Sequence, residues 1–262
     1  MSEAFDRLVA VMARLRGPDG CPWDREQTLQ SLRTYLLEEA YETLDALDRE
    51  DPAALKEELG DLLLEVVFLA RICSEKGLFT IEDVAGAIAD KLVRRHPHVF
   101  GGESAPGPRE ALGRWESIKN AEREAAGAES VLSGVPETLP ALLRAFRISG
   151  KAAMVGFDWE SVDQVLGKLD EEVRELREAL ASGDARAAAE EVGDLLFAAA
   201  NAARLAGADP ELALQAANRK FTERFRRVEA ELRRRGLRPS SELREEMERL
   251  WEAGKAQAKD AR

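Results

Sequence analysis

The chain has 262 residues, 45% of them hydrophobic and 34% charged, with a formal charge of −12. That is apolar material for one large core or two ordinary ones. It is too negative for a general nucleic-acid or membrane-surface binder, which needs clustered positive charge, whereas small anions are not excluded, because a metal and a few local cations can meet their charge.

The opening MSEAFDRLVAVMARLRG has an amphipathic helical pattern, with Asp6 and Arg7 where a secretion signal would be apolar. Cys21 and Cys73 lie far apart and in no CxxC pair, so neither a disulfide framework nor a zinc site is implied. The expectation is a soluble protein of the reducing cytoplasm. Cys21-Pro22-Trp23-Asp24 reads as a structured turn before the first long helix, or as the border of a pocket. Ala, Leu, Glu and Arg, all strong helix formers, dominate the rest. The spacing predicts helices near 3–16, 28–49, 52–75, 81–95 and 108–126, then 138–154, 162–182, 185–206, 210–235 and 240–258. Asp51-Pro52, Asp184 and Asp209-Pro210 place an N-cap acid before a helical run, and Gly183 ends one helix where Asp184 starts the next. The most apolar stretches, LLLEVVFLARIC and LLFAAANAARLAG, carry Glu65, Arg71, Asn201 and Arg204. Both fall short of the ~18 uncharged residues a membrane span requires.

Two segments read as irregular: His96 to Glu110, rich in Gly and Pro, and the small, polar stretch around 125–140. HPH in the first suits a loop or a helix cap better than a metal site. The second is the better domain boundary, giving repeats at 1–126 and 138–262 joined by a linker at 127–137. The fold class expected is all-α, two tandem repeats of a four- to five-helix unit.

The duplication is written in the acids. Residues 38–64 read EEAYETLDALDREDPAALKEELGDLLL and 171–197 read EEVRELREALASGDARAAAEEVGDLLF. Aligned without gaps from Glu38 and Glu171, half the positions to Leu63 and Leu196 are identical. Beyond that block, Lys91 and Arg95 match Lys220 and Arg224 as KxxxR, and Trp115 and Lys119 match Trp251 and Lys255 as WxxxK. Each half therefore pairs ExxE on one helix with ExxD on the next: Glu39, Glu42, Glu58 and Asp61, then Glu172, Glu175, Glu191 and Asp194. On a helical wheel the second set flanks the apolar stripes, near other helices yet reachable from solvent, with Lys168 one turn before Glu172. Two like charges close together repel by roughly 3–4 kcal/mol at an effective dielectric near 20. Four gathered carboxylates call for a cation, and all-oxygen ligands select Mg²⁺ or Mn²⁺. Gly60 and Gly193, inside these helices, cost about 1 kcal/mol each relative to alanine and suggest close approach of a helix or a ligand.

With these motifs the chain resembles the MazG family of nucleoside triphosphate pyrophosphohydrolases, in the all-α NTP pyrophosphatase group. The resemblance runs through CPWDREQT at 21–28, EEAYE with EELGD, RRHPHVFGG at 94–102, EEVRE with EEVGD, KFTERF at 220–225 and the late WxxxK. It implies Mg²⁺-dependent hydrolysis of an NTP or dNTP to the monophosphate and pyrophosphate, by a homodimer. Carried over by position, it puts metal ligands and catalysis on Glu172, Glu175, Glu191 and Asp194, with Lys168 at their edge. Substrate contacts fall on Lys168, Lys220, Arg224, Trp251 and Lys255, with Glu171 and Glu190 in the same set. Read from charge alone, Lys220 and Arg224 could equally be a solvated basic face, and Trp251 could be buried rather than stacked on a base. Lys168 has Tyr35 as its counterpart in the first half, and tyrosine brings no positive charge to a phosphate. The second half is therefore expected to be the principal catalyst, with Glu39, Glu42, Glu58 and Asp61 forming a weaker site. Two rivals share the same residues: a module that senses Mg²⁺–nucleotide without turnover, and a nucleotidase restricted to one base.

Overall fold

The computed structural model describes residues 3–102, 104–125, 127 and 130–260. Among them are twelve α-helices, a single 3-10 turn and no strand, in line with the all-α expectation. The chain divides between Glu122 and Arg123. Ala126, Ala128 and Glu129, where the first repeat was expected to end and the linker to begin, lie outside the described residues.

The first unit holds α1 (Glu3–Leu15), α2 (Pro22–Glu26), α3 (Leu32–Asp48), α4 (Pro52–Glu75), α5 (Ile81–Arg95), α6 (Pro97–Phe100) and most of α7 (Pro108–Ala125). Helix α4 is its centre, with α1, α3 and α5 packed on it. Its core joins Met12, Leu32, Val67, Phe68 and Ile72, ringed by Phe5, Leu8, Leu29 and Leu64. The second unit holds α8 (Ala141–Met154), α9 (Val162–Ser182), α10 (Ala185–Leu205), α11 (Pro210–Arg234), the 3-10 turn Ser241–Leu243 and α12 (Arg244–Asp260). Here α10 is central, packed against α8, α9 and α11.

Local chemistry sets the ends of these helices. The Asp51 carboxylate accepts from the N–H groups of Ala53 and Ala54, Asp184 from Arg186 and Ala187, and Asp209 from Glu211 and Leu212. Gly183 adopts φ +75°, the left-handed conformation that lets α9 stop and α10 start at once. The expected helix at 28–49 begins later, at Leu32. Ser31 N–H donates to the Thr28 hydroxyl at 3.1 Å and Thr28 N–H to the Ser31 hydroxyl at 2.9 Å, and these bonds hold a turn in place of a helical start. Two expected turns contain short helices, α2 and α6. His96 closes α5, with its Nδ1 2.7 Å from the Leu92 carbonyl.

The apolar stripe expected on α9 (Val162, Val165, Leu166, Leu169, Val173, Leu176 and Leu180) is buried or half-buried except at Leu166 and Leu180. The inward seam of α9 is Val165, Glu172 and Ala179, while Leu180 is 64% exposed and Leu166 also faces out. On α10 the buried residues are Ala188, Ala198, Ala200 and Asn201, whereas Leu196 is 50% exposed and Val192 is open too. The buried face of α10 is mostly alanine, and its larger apolar residues point away from it. Glu172, expected on a solvent-reachable flank, is only 3% exposed.

Candidate active site

The α9–α10 hairpin presents its acids to one another across that seam. One carboxylate oxygen from each of Glu172, Glu175 and Glu191 lies within 4.8 Å of the other two. Burial, then the Glu175 carboxylate, then a hydrogen bond with Glu172 push the Glu191 carboxyl above its ordinary range. Lys168, one turn before Glu172, places its ammonium 2.7 Å from that carboxylate and 2.9 Å from Glu171. Both bonds raise the lysine's pKa, so it stays protonated at neutral pH. Lys168 at Glu172 and Arg174, 3.5 Å from Glu175, are thus flexible side chains that partly offset the cluster's charge and can move aside.

Asp194 lies outside the tight trio but opens, with Lys168 and Glu172, onto a cavity of about 760 Å³. This size accommodates a nucleotide-sized ligand. The remaining wall is mostly apolar: Leu132, Ile148, Phe157 and Trp159 on one side, Asn201 and Arg204 on α10. Arg204 is tied to Asp158 and, at 3.3 Å, to the Asn201 side-chain oxygen, and Asn201 donates to the Phe197 carbonyl at 3.1 Å. The bonds fix the polar end of the cavity. Leu132 is held there from behind, because the buried Lys151 ammonium donates to the carbonyls of Val131 and Ser133 at 2.8 and 2.7 Å.

The other predicted substrate contacts form a separate group on α11 and α12. Trp251 packs on Phe221 at 4.9 Å between ring centroids, Phe221 stacks on Phe225, and Lys255 sits 6.0 Å from the Trp251 ring while paired with Glu252. None of Lys220, Arg224, Trp251 and Lys255 lines the cavity. Trp251 is half-buried against an aromatic neighbour, between the two readings of it. Glu171 serves as a partner of Lys168, and Glu190 is exposed on α10. Among the described residues nothing lies within 4 Å of a side chain built on Gly60 or Gly193, so no described helix accounts for these glycines.

Sequence reasoning missed the cavity wall. Phe157 and Trp159 stand in a loop between predicted helices, and Asn201 and Arg204 registered only as interruptions of an apolar run. An amide and a guanidinium buried on one face of an otherwise Ala-rich helix were the available signal.

The first unit repeats the acid cluster with another trio: oxygens of Glu39, Glu58 and Asp61 lie within 4.8 Å of one another. Burial first, then Glu42 and Asp61, push Glu39 above its ordinary range, and Glu58 is shifted the same way. Each trio omits one of four matched positions, and the omitted Glu42 and Asp194 still act electrostatically on their neighbours. All eight expected carboxylates therefore belong to two clusters.

Residues 27–100 and 160–230 each match the pattern of the MazG nucleotide pyrophosphohydrolase domain. The chain belongs to the MazG family. A nucleoside triphosphate pyrophosphohydrolase of Escherichia coli K12 is 48% identical over 261 residues, 98% of either chain. The nucleoside triphosphate pyrophosphohydrolase/pyrophosphatase MazG of Thermotoga maritima is 45% identical over 251 residues, covering 96% of this chain and 95% of its own. A nucleoside triphosphate pyrophosphohydrolase of Mycobacterium tuberculosis shares 43% over 160 residues, 59% of this chain and 47% of its own. The two MazG segments contain the two acid clusters, so the duplication read from the acids is a duplication of the family's domain.

Proposed function

We propose that the chain is a nucleoside triphosphate pyrophosphohydrolase that cleaves NTPs and dNTPs between the α and β phosphates, with Mg²⁺ or Mn²⁺ at Glu172, Glu175, Glu191 and Asp194 of the second repeat. One observation carries the reading: a carboxylate cluster built around the buried Glu172, with a lysine at its edge, opens onto a nucleotide-sized, largely apolar cavity. Oxygen-only donors at mutually repelling distances fit a hard divalent cation, as the upward shift of Glu191 reflects. Such a cation, when bound, neutralises the triphosphate and acidifies a water.

The protein's own groups do the rest. Apolar walls at Ile148, Phe157 and Trp159 take the nucleoside and exclude water, leaving the triphosphate directed at the acids. Lys168 exchanges Glu172 for a phosphate oxygen as the cluster's negative charge is taken up elsewhere. A water oxygen bonds to the α-phosphorus while the α–β bridging P–O bond breaks. The bridging oxygen leaves with pyrophosphate, and the water's proton passes to a carboxylate of the cluster. Lys220 and Arg224, one turn apart on α11 and without an ion pair to any described residue, are free to meet the leaving pyrophosphate.

Incubation of the protein with each NTP and dNTP plus Mg²⁺, with products separated by anion exchange, tests this. The expected products are the monophosphate and pyrophosphate. A diphosphate and inorganic phosphate would overturn the cleavage position, and tight binding without turnover would favour a nucleotide sensor.

The exposed apolar faces of α9 and α10 support a homodimer, and light scattering that gave a monomer at micromolar concentration would count against it. Free Cys21 and Cys73 suit a cytoplasmic location. No helix among the described residues is long and apolar enough to cross a membrane.

A further inference from the structure

We propose that Lys151 is a positioning residue for nucleotide binding: by holding residues 130–134 it sets Leu132 as a wall of the cavity, against the nucleoside. This rests on the cavity being the nucleotide site. Both Lys151 and the 130–134 turn lie outside the two segments that match the family's domain. The Lys151 side chain, on α8, is buried, and its ammonium donates to the carbonyls of Val131 and Ser133, on either side of Leu132, at 2.8 and 2.7 Å. The turn is also closed on itself: the Leu132 N–H donates to the Ser130 hydroxyl at 3.1 Å and the Ser133 N–H to the Ser130 carbonyl at 3.0 Å. Gly134 follows at φ +76°, and a side chain there would stand 3.0 Å from the Arg123 guanidinium. The path of the chain around Leu132 is therefore set from both ends.

Burying an ammonium is costly unless hydrogen bonds compensate it, so what it holds matters. It does not hold core. Of residues 130–134 only Ser133 is not exposed, and Leu132 itself is 41% exposed. Fixing an exposed turn adds little to the fold, because apolar stabilisation follows the area removed from water. What the ammonium does fix is one side of the cavity, which Leu132 lines together with Ile148 and Ala152 of the same helix as Lys151. A leucine left partly bare there is covered when a nucleoside enters. A loose turn would have to be ordered at that moment, at a cost in affinity, whereas the buried ammonium orders it beforehand.

The test measures, by calorimetry on the full chain with Mg²⁺ present, binding of the α,β-methylene analogue of ATP and, separately, of tripolyphosphate, which brings the charge without the nucleoside. Lys151→Met should weaken the analogue about tenfold, through a lost apolar contact, and leave tripolyphosphate within about twofold. Leu132→Ala, at an exposed position that leaves folding intact, should show the same selectivity at about fivefold. The double variant should bind no more weakly than Lys151→Met alone, because both changes act through one side chain. In turnover the loss should fall on KM rather than kcat. Should Lys151→Met not fold, Gly134→Ala strains the same turn from its other end and takes its place in the cycle. Equal weakening of both ligands, additive effects in the double variant, or unchanged analogue binding in Leu132→Ala would each overturn the proposal and leave the nucleotide site standing. A natural chain that does not bind the analogue would instead overturn the cavity as the nucleotide site, and the role of Lys151 with it.

Discussion

The two repeats carry the same four carboxylate positions on the same helical hairpin and differ in what stands beside them. In the second repeat Lys168 touches Glu172, Ala198 and Asn201 leave room, and a cavity of about 760 Å³ opens on the acids. In the first, Tyr35 takes the lysine's place and sits edge-on to Trp23 at 5.8 Å, while Glu65 and Phe68 are buried where Ala198 and Asn201 would be. The basic residues diverge too. Arg95 is bonded to Glu122 at 2.6 Å and lies over the Trp115 ring, whereas its counterpart Arg224 has no ion pair among the described residues. The Glu122 position corresponds to Ala258 in the second repeat. A cluster of acids can thus be copied whole while a few uncharged or compensating neighbours change what stands beside it.

The sharpest way to break this comparison is to remove acids from either side. Glu172→Gln or Glu175→Gln should lower kcat by about a thousandfold or more, read as pyrophosphate release, because they remove charge from where the triphosphate is met. Glu39→Gln and Glu42→Gln should stay within a few-fold of the natural chain, and the reverse ranking would exchange the roles of the repeats. Next comes room. Asn201→Phe, which imports the first repeat's side chain into the cavity, should lower kcat/KM by roughly a hundredfold, with most of the loss in KM if the ring displaces the nucleoside. The reciprocal Phe68→Ala should cost the first unit about 3–5 kcal/mol, measured by denaturant unfolding, and create no activity. Lys168→Met should lower kcat/KM by about ten- to a hundredfold while leaving the metal requirement intact.

The smallest effect is on stability against pH. Glu39, Glu58 and Glu191 are all shifted upward, so the folded chain keeps protons that the unfolded chain releases. In EDTA the melting temperature should therefore fall as pH rises from the ordinary carboxylate range through the raised values. Saturating Mg²⁺ should reverse this, by about 2.7 kcal/mol at a hundred times its Kd for each ion bound. Glu191→Gln should raise the EDTA melting temperature at neutral pH and diminish the Mg²⁺ effect. A melting temperature that rises with pH in EDTA would show that the acids are not crowded.

What could be read from the sequence had local causes. Asp51-Pro52 and Gly183-Asp184 announced helix ends because a cap is made by residues within three positions of it. The ten long helices and both acid hairpins followed from spacing and repetition, and so did the pairing of Lys168 with Glu172. The exceptions were equally local: reciprocal Thr28–Ser31 bonds moved a helix start, and HPHVF formed α6 where a loop was expected.

Which faces meet was not legible, because it depends on contacts between residues far apart in the chain. Helical periodicity places Val165, Leu166 and Leu180 on one apolar stripe of α9, yet it does not say which edge of that stripe is covered. Tertiary packing covered Val165, Glu172 and Ala179 on α9, and so buried Glu172, and it left a cavity beside Ala198. The sequence by itself determined that acids gather twice on helical hairpins. Only the tertiary structure decided that one gathering opens onto a cavity while the other has Glu65 and Phe68 buried on the same helix, because volume beside a site belongs to the neighbours that surround it.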